Sequence, residues 1–209
     1  MKIKVGKKAN EKMNFTIEGI DPPFANALRR AMMGEVSTLA IDETDVRENS
    51  SAIYNEVLAH RLALVPLQFD PKKMNLREEC VCEGKGCVQC EVVFVLKKEG
   101  PGTVYAKDLK SNNDDVRVMY DKMPLVLLME GQKVELEAVA RLGRGVDHAK
   151  WQAAIASYEY DPKTAGSSMT FEFRVESVCG LTPEQIVTLA LDVLESKAKT
   201  FEEKVSEYA

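Results

Sequence analysis

Four of the five cysteines fall within eleven positions, in the stretch ECVCEGKGCVQCE at 79–91. Their spacing, Cys80-x-Cys82 and then Cys87-x2-Cys90, makes two close pairs separated by a turn that carries Gly84 and Gly86. Folded back on that turn, four thiolates can meet at one tetrahedral point, the arrangement Zn2+ favours. Lys85 at the tip would offset part of the negative charge of such a site. Four protein ligands fill the coordination shell and leave no position for water or substrate, so a zinc ion here would be structural, not catalytic. An iron–sulfur cluster is the first alternative, because Cys82-x4-Cys87-x2-Cys90 matches one local cluster spacing, with Cys80 or Cys179 as the fourth ligand. A thioredoxin-like pair at Cys87 and Cys90 lacks a framing βαβ pattern. A disulfide is disfavoured where thiols stay reduced. Cys179, in VESVCGLTP, reads most simply as a small buried residue.

No other motif promises chemistry. The sequence has no P-loop, no G-x-G-x-x-G after a strand, no H-E-x-x-H and no G-x-S-x-G elbow. His60 has no second histidine one helical turn away. GRGVDHAKWQ at 143–152 gathers Arg144, His148, Lys150 and Trp151, but acid–base work would need a carboxylate that sequence alone does not place.

Composition narrows the field. Hydrophobic residues at 45% and charged residues at 29% describe a globular chain, and no apolar run approaches the roughly 20 residues that span a bilayer. MKIKVGKKANEK has lysines but no apolar secretory core, which points to a reducing, cytoplasmic setting. A net charge of −5 argues against a protein whose main task is gripping phosphate backbones. Lys2, Lys4, Lys7, Lys8 and Lys12 read as the solvated face of a first strand.

The elements that must carry these residues are those of an α+β fold. Alternation at Ile3 and Val5, then at Met13, Phe15 and Ile17, predicts two half-buried strands with a turn near Ala9-Asn10. Asp21 and Pro22 mark a helix start, with Phe24, Leu28, Ala31 and Met32 as its stripe. Arg29 and Arg30 on that helix are either solvated or reach a partner's carboxylate. STLAIDETDVREN reads as a strand pair or an extended connection. A second helix is expected to bring Tyr54, Leu58, Leu62 and Val65 to one face and to end at Pro66. A hairpin is expected to turn at Glu99-Gly100-Pro101-Gly102, and a further strand turn at Glu130-Gly131. Thr182-Pro183-Glu184-Gln185 is a capping box. From it Ile186, Ala190, Val193, Leu194, Phe201 and Val205 run along one helix face past any core of ordinary size, as in helices that pack on another chain.

The segment NALRRAMMGEVSTLAIDETDVRENSSAIYNEVLAHRLALVPL, 26–67, resembles the alpha-like subunits of cellular RNA polymerases, most nearly their archaeal branch, the D subunits. The four-cysteine loop, GRGVDHAKWQAA at 143–154 and FEFRVESVCGLTPEQIVTLALDVLESK at 171–197 agree with the same family in the same order. The resemblance implies a two-domain architecture: a dimerisation domain from both chain ends, 1–43 with 146–209, and an inserted α+β domain, 44–145, bearing the metal loop at 80–90. It implies a non-catalytic assembly subunit that pairs with a small alpha-like subunit, L in archaea, and joins subunits N and P and the second-largest catalytic subunit. Neither a membrane nor sequence-specific nucleic-acid binding is implied. The residues it assigns to partners are Asn26, Leu28, Arg29 and Arg30; His148, Lys150 and Trp151; and Ile186, Leu189, Ala190, Val193, Leu194 and Phe201. It supports structural Zn2+ on Cys80, Cys82, Cys87 and Cys90. Many archaeal relatives insert a third, ferredoxin-like domain with cluster cysteines; here 156–173 passes through that region with no cysteine, so neither domain nor cluster is expected near 158–173.

Overall fold

The computed structural model describes residues 1–160 and 169–208. The chain opens with β1 (Lys2–Lys8), β2 (Lys12–Glu18), α1 (Pro22–Gly34) and β3 (Ser37–Asn49). Then come α2 (Asn55–Ala63), β4 (Leu67–Gln68), β5 (Glu91–Glu99), β6 (Gly102–Tyr105), β7 (Lys110–Ser111) and β8 (Arg117–Val118). β9 (Pro124–Leu128), β10 (Lys133–Arg144), β11 (Ala154–Tyr160), β12 (Thr170–Ser177) and α3 (Pro183–Ser206) complete it. Two compact units result, one from residues 1–36 and 144–209, the other from 37–143.

The first unit is a four-stranded antiparallel sheet, β1-β2-β12-β11, with helices on one face. Cross-strand register sets Phe15 opposite Phe173 and Ile17 opposite Phe171. The Phe15 and Phe173 rings stack with centroids 4.9 Å apart. Met13 and Val175 extend this buried face, and Ala25, Leu28, Ala31 and Met32 of α1 and Ile186 and Ala190 of α3 cover it. The opposite face is polar, carrying Lys4–Glu18 at 2.9 Å and Arg174–Glu159 at 2.6 Å, as expected of a sheet with one wet side.

Local signals set the helix ends. The Asp21 carboxylate accepts the Phe24 N–H at 3.0 Å, and proline occupies the first helical turn. At α3 the box closes in both directions: Thr182 Oγ1 accepts the Gln185 N–H at 3.3 Å, and the Gln185 side chain accepts the Thr182 N–H at 2.8 Å.

The second unit is built on the sheet β3-β10-β5-β7, with two small ribbons, β4-β8 and β6-β9. Leu96, Phe94 and Val92 face Leu136, Ala138 and Ala140 across β5 and β10, all buried. Leu58 and Leu62 of α2 are fully buried.

Four expectations need correction. β1 pairs with β2, but Ile3 and Val5 are exposed, so β1 is not half-buried. STLAIDETDVREN is one 13-residue strand. Tyr54 does not join the face of Leu58 and Leu62; it is the residue before α2 and is exposed. The Glu99–Gly102 turn does not make a hairpin, because β5 keeps β10 as its partner to its last residue, Glu99 opposite Lys133, while β6 pairs with β9. The turn is a corner between sheets, and so is Met129–Gln132. The two corners are joined where the Gly100 N–H donates to the Gln132 carbonyl at 2.8 Å. Gly100 lies so close to the Met129 carbonyl that no side chain fits there.

Candidate metal centre and docking surfaces

The cysteine loop hangs between a short helical turn, Arg77–Glu79, and the start of β5. Cys80 and Cys90 are buried, Cys82 and Cys87 partly so. Their sulfurs converge: Cys80–Cys87 3.5 Å, Cys82–Cys90 3.6 Å, Cys87–Cys90 3.8 Å, and all four within 4.8 Å of one another. A tetrahedron with metal–sulfur bonds of about 2.3 Å has edges of roughly 3.8 Å. The donor set therefore fits one mononuclear ion. A polynuclear cluster shares its thiolates among different irons and spreads them wider. Cys179 is not in the group: it is buried in the first unit, where its sulfur accepts the Leu181 N–H at 3.5 Å.

The backbone explains how so short a loop brings four sulfurs together. Two tight turns close where the Glu83 N–H donates to the Cys80 carbonyl at 3.0 Å and the Cys90 N–H to the Cys87 carbonyl at 2.9 Å. Glu83, Gly84 and Gly86 take positive φ, +54°, +77° and +88°. Arg77 clasps the loop, donating from Nε to the Gly84 carbonyl at 2.8 Å and pairing with Glu91 at 3.2 Å. The Cys87 N–H donates to the Cys90 sulfur at 3.3 Å. Burial opposes ionisation of Cys82, but hydrogen bonds from the Cys80 and Cys90 thiols and the Gly86 amide bring it down to about 7. Burial above all pushes Cys90 up to about 12. A bound cation would draw all four into the thiolate form.

The residues assigned to partners fall into distinct settings. Leu28, Ile186 and Ala190 lie in this chain's own core, none more than 1% exposed, which corrects their placement on a docking surface. Leu189, Val193 and Leu194 are half-buried beside them. On α1, Arg29 bends back on its own helix, donating to the Asn26 side chain at 3.0 and 3.3 Å, while Arg30 is exposed. The segment with His148, Lys150 and Trp151 meets the end of α1: the Val146 N–H donates to the Gly34 carbonyl at 3.0 Å, and Gly145 abuts the Met33 carbonyl. The Lys150 ammonium sits 4.3 Å from the Trp151 ring centroid, and His148 Nδ1 accepts the Lys150 N–H at 3.0 Å. The loop that carries His148, Lys150 and Trp151 is thus anchored at the C-terminal end of α1.

α3 shows where its stripe outruns its support. Buried positions end at Ala190, and Lys197 ties the helix to the end of α1 through Glu35 at 2.7 Å. Beyond that, Phe201 (71% exposed) and Val205 (51%) continue the same stripe with nothing over them among the described residues. Sequence reasoning missed Ile3 and Val5, whose alternation looked like burial, and Val81 and Val88, exposed on the metal loop.

A family model described as the RNA polymerase Rpb3/RpoA insert domain matches residues 40–159. The DNA-directed RNA polymerase subunit Rpo3 of Methanosphaera stadtmanae is 44% identical over 169 residues, covering 78% of this chain and 62% of that protein. The Rpo3 subunits of Pyrococcus horikoshii (42% over 160 residues, 77% and 60%) and Methanothermobacter thermautotrophicus (44% over 167, 78% and 63%) are similar in the same way. The chain spans about three fifths of the length of these relatives. The expected absence of a ferredoxin-like domain lies near 158–173, of which 161–168 are outside the described residues.

Proposed function

The chain belongs to the RNA polymerase Rpb3/RpoA insert-domain family of alpha-like subunits, and on that premise we propose that it is a non-catalytic assembly subunit of DNA-dependent RNA polymerase. It pairs with a small alpha-like subunit, the archaeal L, through α3, and the pair forms the cytoplasmic platform that takes on subunits N and P and the second-largest catalytic subunit. The observation that carries the reading is α3: a capped 24-residue helix whose apolar stripe is fully buried to Ala190, half-buried at Val193 and Leu194, and exposed at Phe201 and Val205. Bare apolar surface in a stripe is what a packed partner removes from water. The polar groups of α1 and of the His148–Trp151 segment, which is anchored at the end of that helix, suit a second, more polar contact with a large subunit.

The metal in this reading is a structural Zn2+ held by Cys80, Cys82, Cys87 and Cys90. Bound there it would cross-link a loop that otherwise has few apolar anchors, with all four positions taken by protein. Direct nucleic-acid binding finds little support, since Lys4, Lys8 and Lys12 are engaged by Glu18, Glu184 and Glu176.

Co-expression with a small alpha-like subunit, followed by native mass spectrometry, tests the assignment. A 1:1 complex carrying the mass of one zinc ion is expected. A chain that stays alone in the presence of the partner would refute the assembly role, and a complex without metal would refute the zinc.

A further inference from the structure

The metal loop carries its four ligands as two pairs joined by a short tip, residues 83–86, in which Glu83, Gly84 and Gly86 all take positive φ. Packing does not hold this tip, since Val81 and Val88 on either side of it are 86% and 75% exposed. The Asn75 N–H donates to the Gln89 carbonyl at 2.8 Å, which ties down the second pair but not the tip or the first pair. Left to itself, a segment with two glycines explores many conformations, and a metal that binds there must order them.

Arg77 meets that need. It stands in the helical turn before Cys80, and its Nε donates to the Gly84 carbonyl at 2.8 Å while Nη1 pairs with Glu91 Oε1 at 3.2 Å. Glu91 follows the last ligand and opens β5 opposite Arg141 of β10, so the sheet fixes its place. Its carboxylate also lies against Gly86, where a methyl group would strike it. One guanidinium thus joins the entry of the loop, its tip and its exit, through a planar fork that a lysine ammonium does not present. Both partners are partly shielded from water, the Arg77 and Glu91 side chains being 35% and 22% exposed, so the pair is less screened than one on open surface. We propose that Arg77 is a positioning residue that retains the metal ion, keeping the two cysteine pairs in register so that the ion leaves slowly. This rests on the reading of the quartet as a zinc site. With the latch closed, neither pair can peel away to admit a competing ligand into the filled shell unless the Gly84 and Glu91 contacts break first. Without it the tip swings freely and the ion is shed one pair at a time.

Zinc release from the loaded full chain into an excess of 4-(2-pyridylazo)resorcinol, followed by the colour of the zinc–dye complex, tests the proposal. Arg77→Met should release zinc about tenfold faster than the wild type, or more, as expected for the loss of hydrogen bonds from a charged group. Arg77→Lys keeps the charge but not the fork and should release nearly as fast as the methionine variant. Glu91→Gln leaves the Gly84 bond in place and should fall between them and the wild type. The Co2+-loaded chains should share one tetrahedral-thiolate spectrum, and the metal-free chains should melt alike. Faster release accompanied by a changed Co2+ spectrum or a lower metal-free melting point would mark Arg77 as a general structural residue and overturn the proposal. Release from zinc-loaded Arg77→Met at the wild-type rate overturns the latch, and release from Arg77→Lys at that rate overturns the fork. A wild-type chain that takes up no zinc refutes the metal reading and the latch with it, an outcome distinct from equal rates in loaded chains.

Discussion

Gly86 holds the metal loop in a conformation that other residues resist. Its φ is +88°, and a methyl group there would run into the Glu91 carboxylate, which Arg77 in turn holds. Replacement by alanine adds backbone strain of about 1–3 kcal/mol. We expect Gly86→Ala to bind zinc roughly tenfold more weakly, as read by competition with a chromophoric chelator; unchanged affinity would show that the loop tolerates another path. The ligands behave differently. Cys90→Ser removes a buried donor and should leave less than one zinc per chain at equimolar metal, whereas Cys179→Ser, remote from the quartet, should keep full stoichiometry by elemental analysis. The cysteine spacing alone was enough to single out the quartet. It could not exclude Cys179 as a ligand, because that depends on where a residue some ninety positions away folds.

At the scale of elements, helix starts were written in short stretches because a cap is a contact between near neighbours. Thr182→Ala should cost about 1 kcal/mol, seen as a lower urea midpoint with unchanged slope. A larger loss would mean that the Thr182–Gln185 box also orients α3 on the sheet. Strand pairing was not written this way. β5 and β6 are separated by a turn rich in glycine and proline, which in isolation reads as a hairpin, yet they enter different sheets because β10, more than thirty residues on, offers β5 a continuous apolar partner. The same limit explains β1: alternation marks a strand with one apolar face but not whether anything covers that face.

For the whole molecule, surface charge sets the response to acid. Hydrogen bonds from Lys4, Lys97, Lys8 and Lys199 hold the carboxyls of Glu18, Glu135, Glu184 and Glu195 below the ordinary glutamate value. A depressed folded-state value means stability that is present above the unfolded glutamate pKa of about 4.3 and is lost as pH falls through the folded values. The metal-free chain should therefore melt at a nearly constant temperature from neutrality down to about pH 5 and progressively lower below it. These groups all reach solvent, Glu195 exposed and the others half-buried, so salt should flatten the acid slope. An equally steep slope in high salt would point to buried groups instead.

The amino-acid sequence by itself determined the features that rest on neighbours: the thiolate quartet, the Asp21 and Thr182 caps, and the long stripe of α3. Its agreement with the polymerase family was legible in four ordered segments, because the quartet, the α1 arginines and the α3 cap occur together. Only the tertiary structure decided which apolar residues are spent inside the chain and which remain for others. Leu28, Ile186 and Ala190 carry the same periodicity as Phe201 and Val205, yet the first three are buried and the last two are bare. Periodicity is a property of one element, whereas burial requires a second surface, and the sheet beneath α3 ends before the helix does.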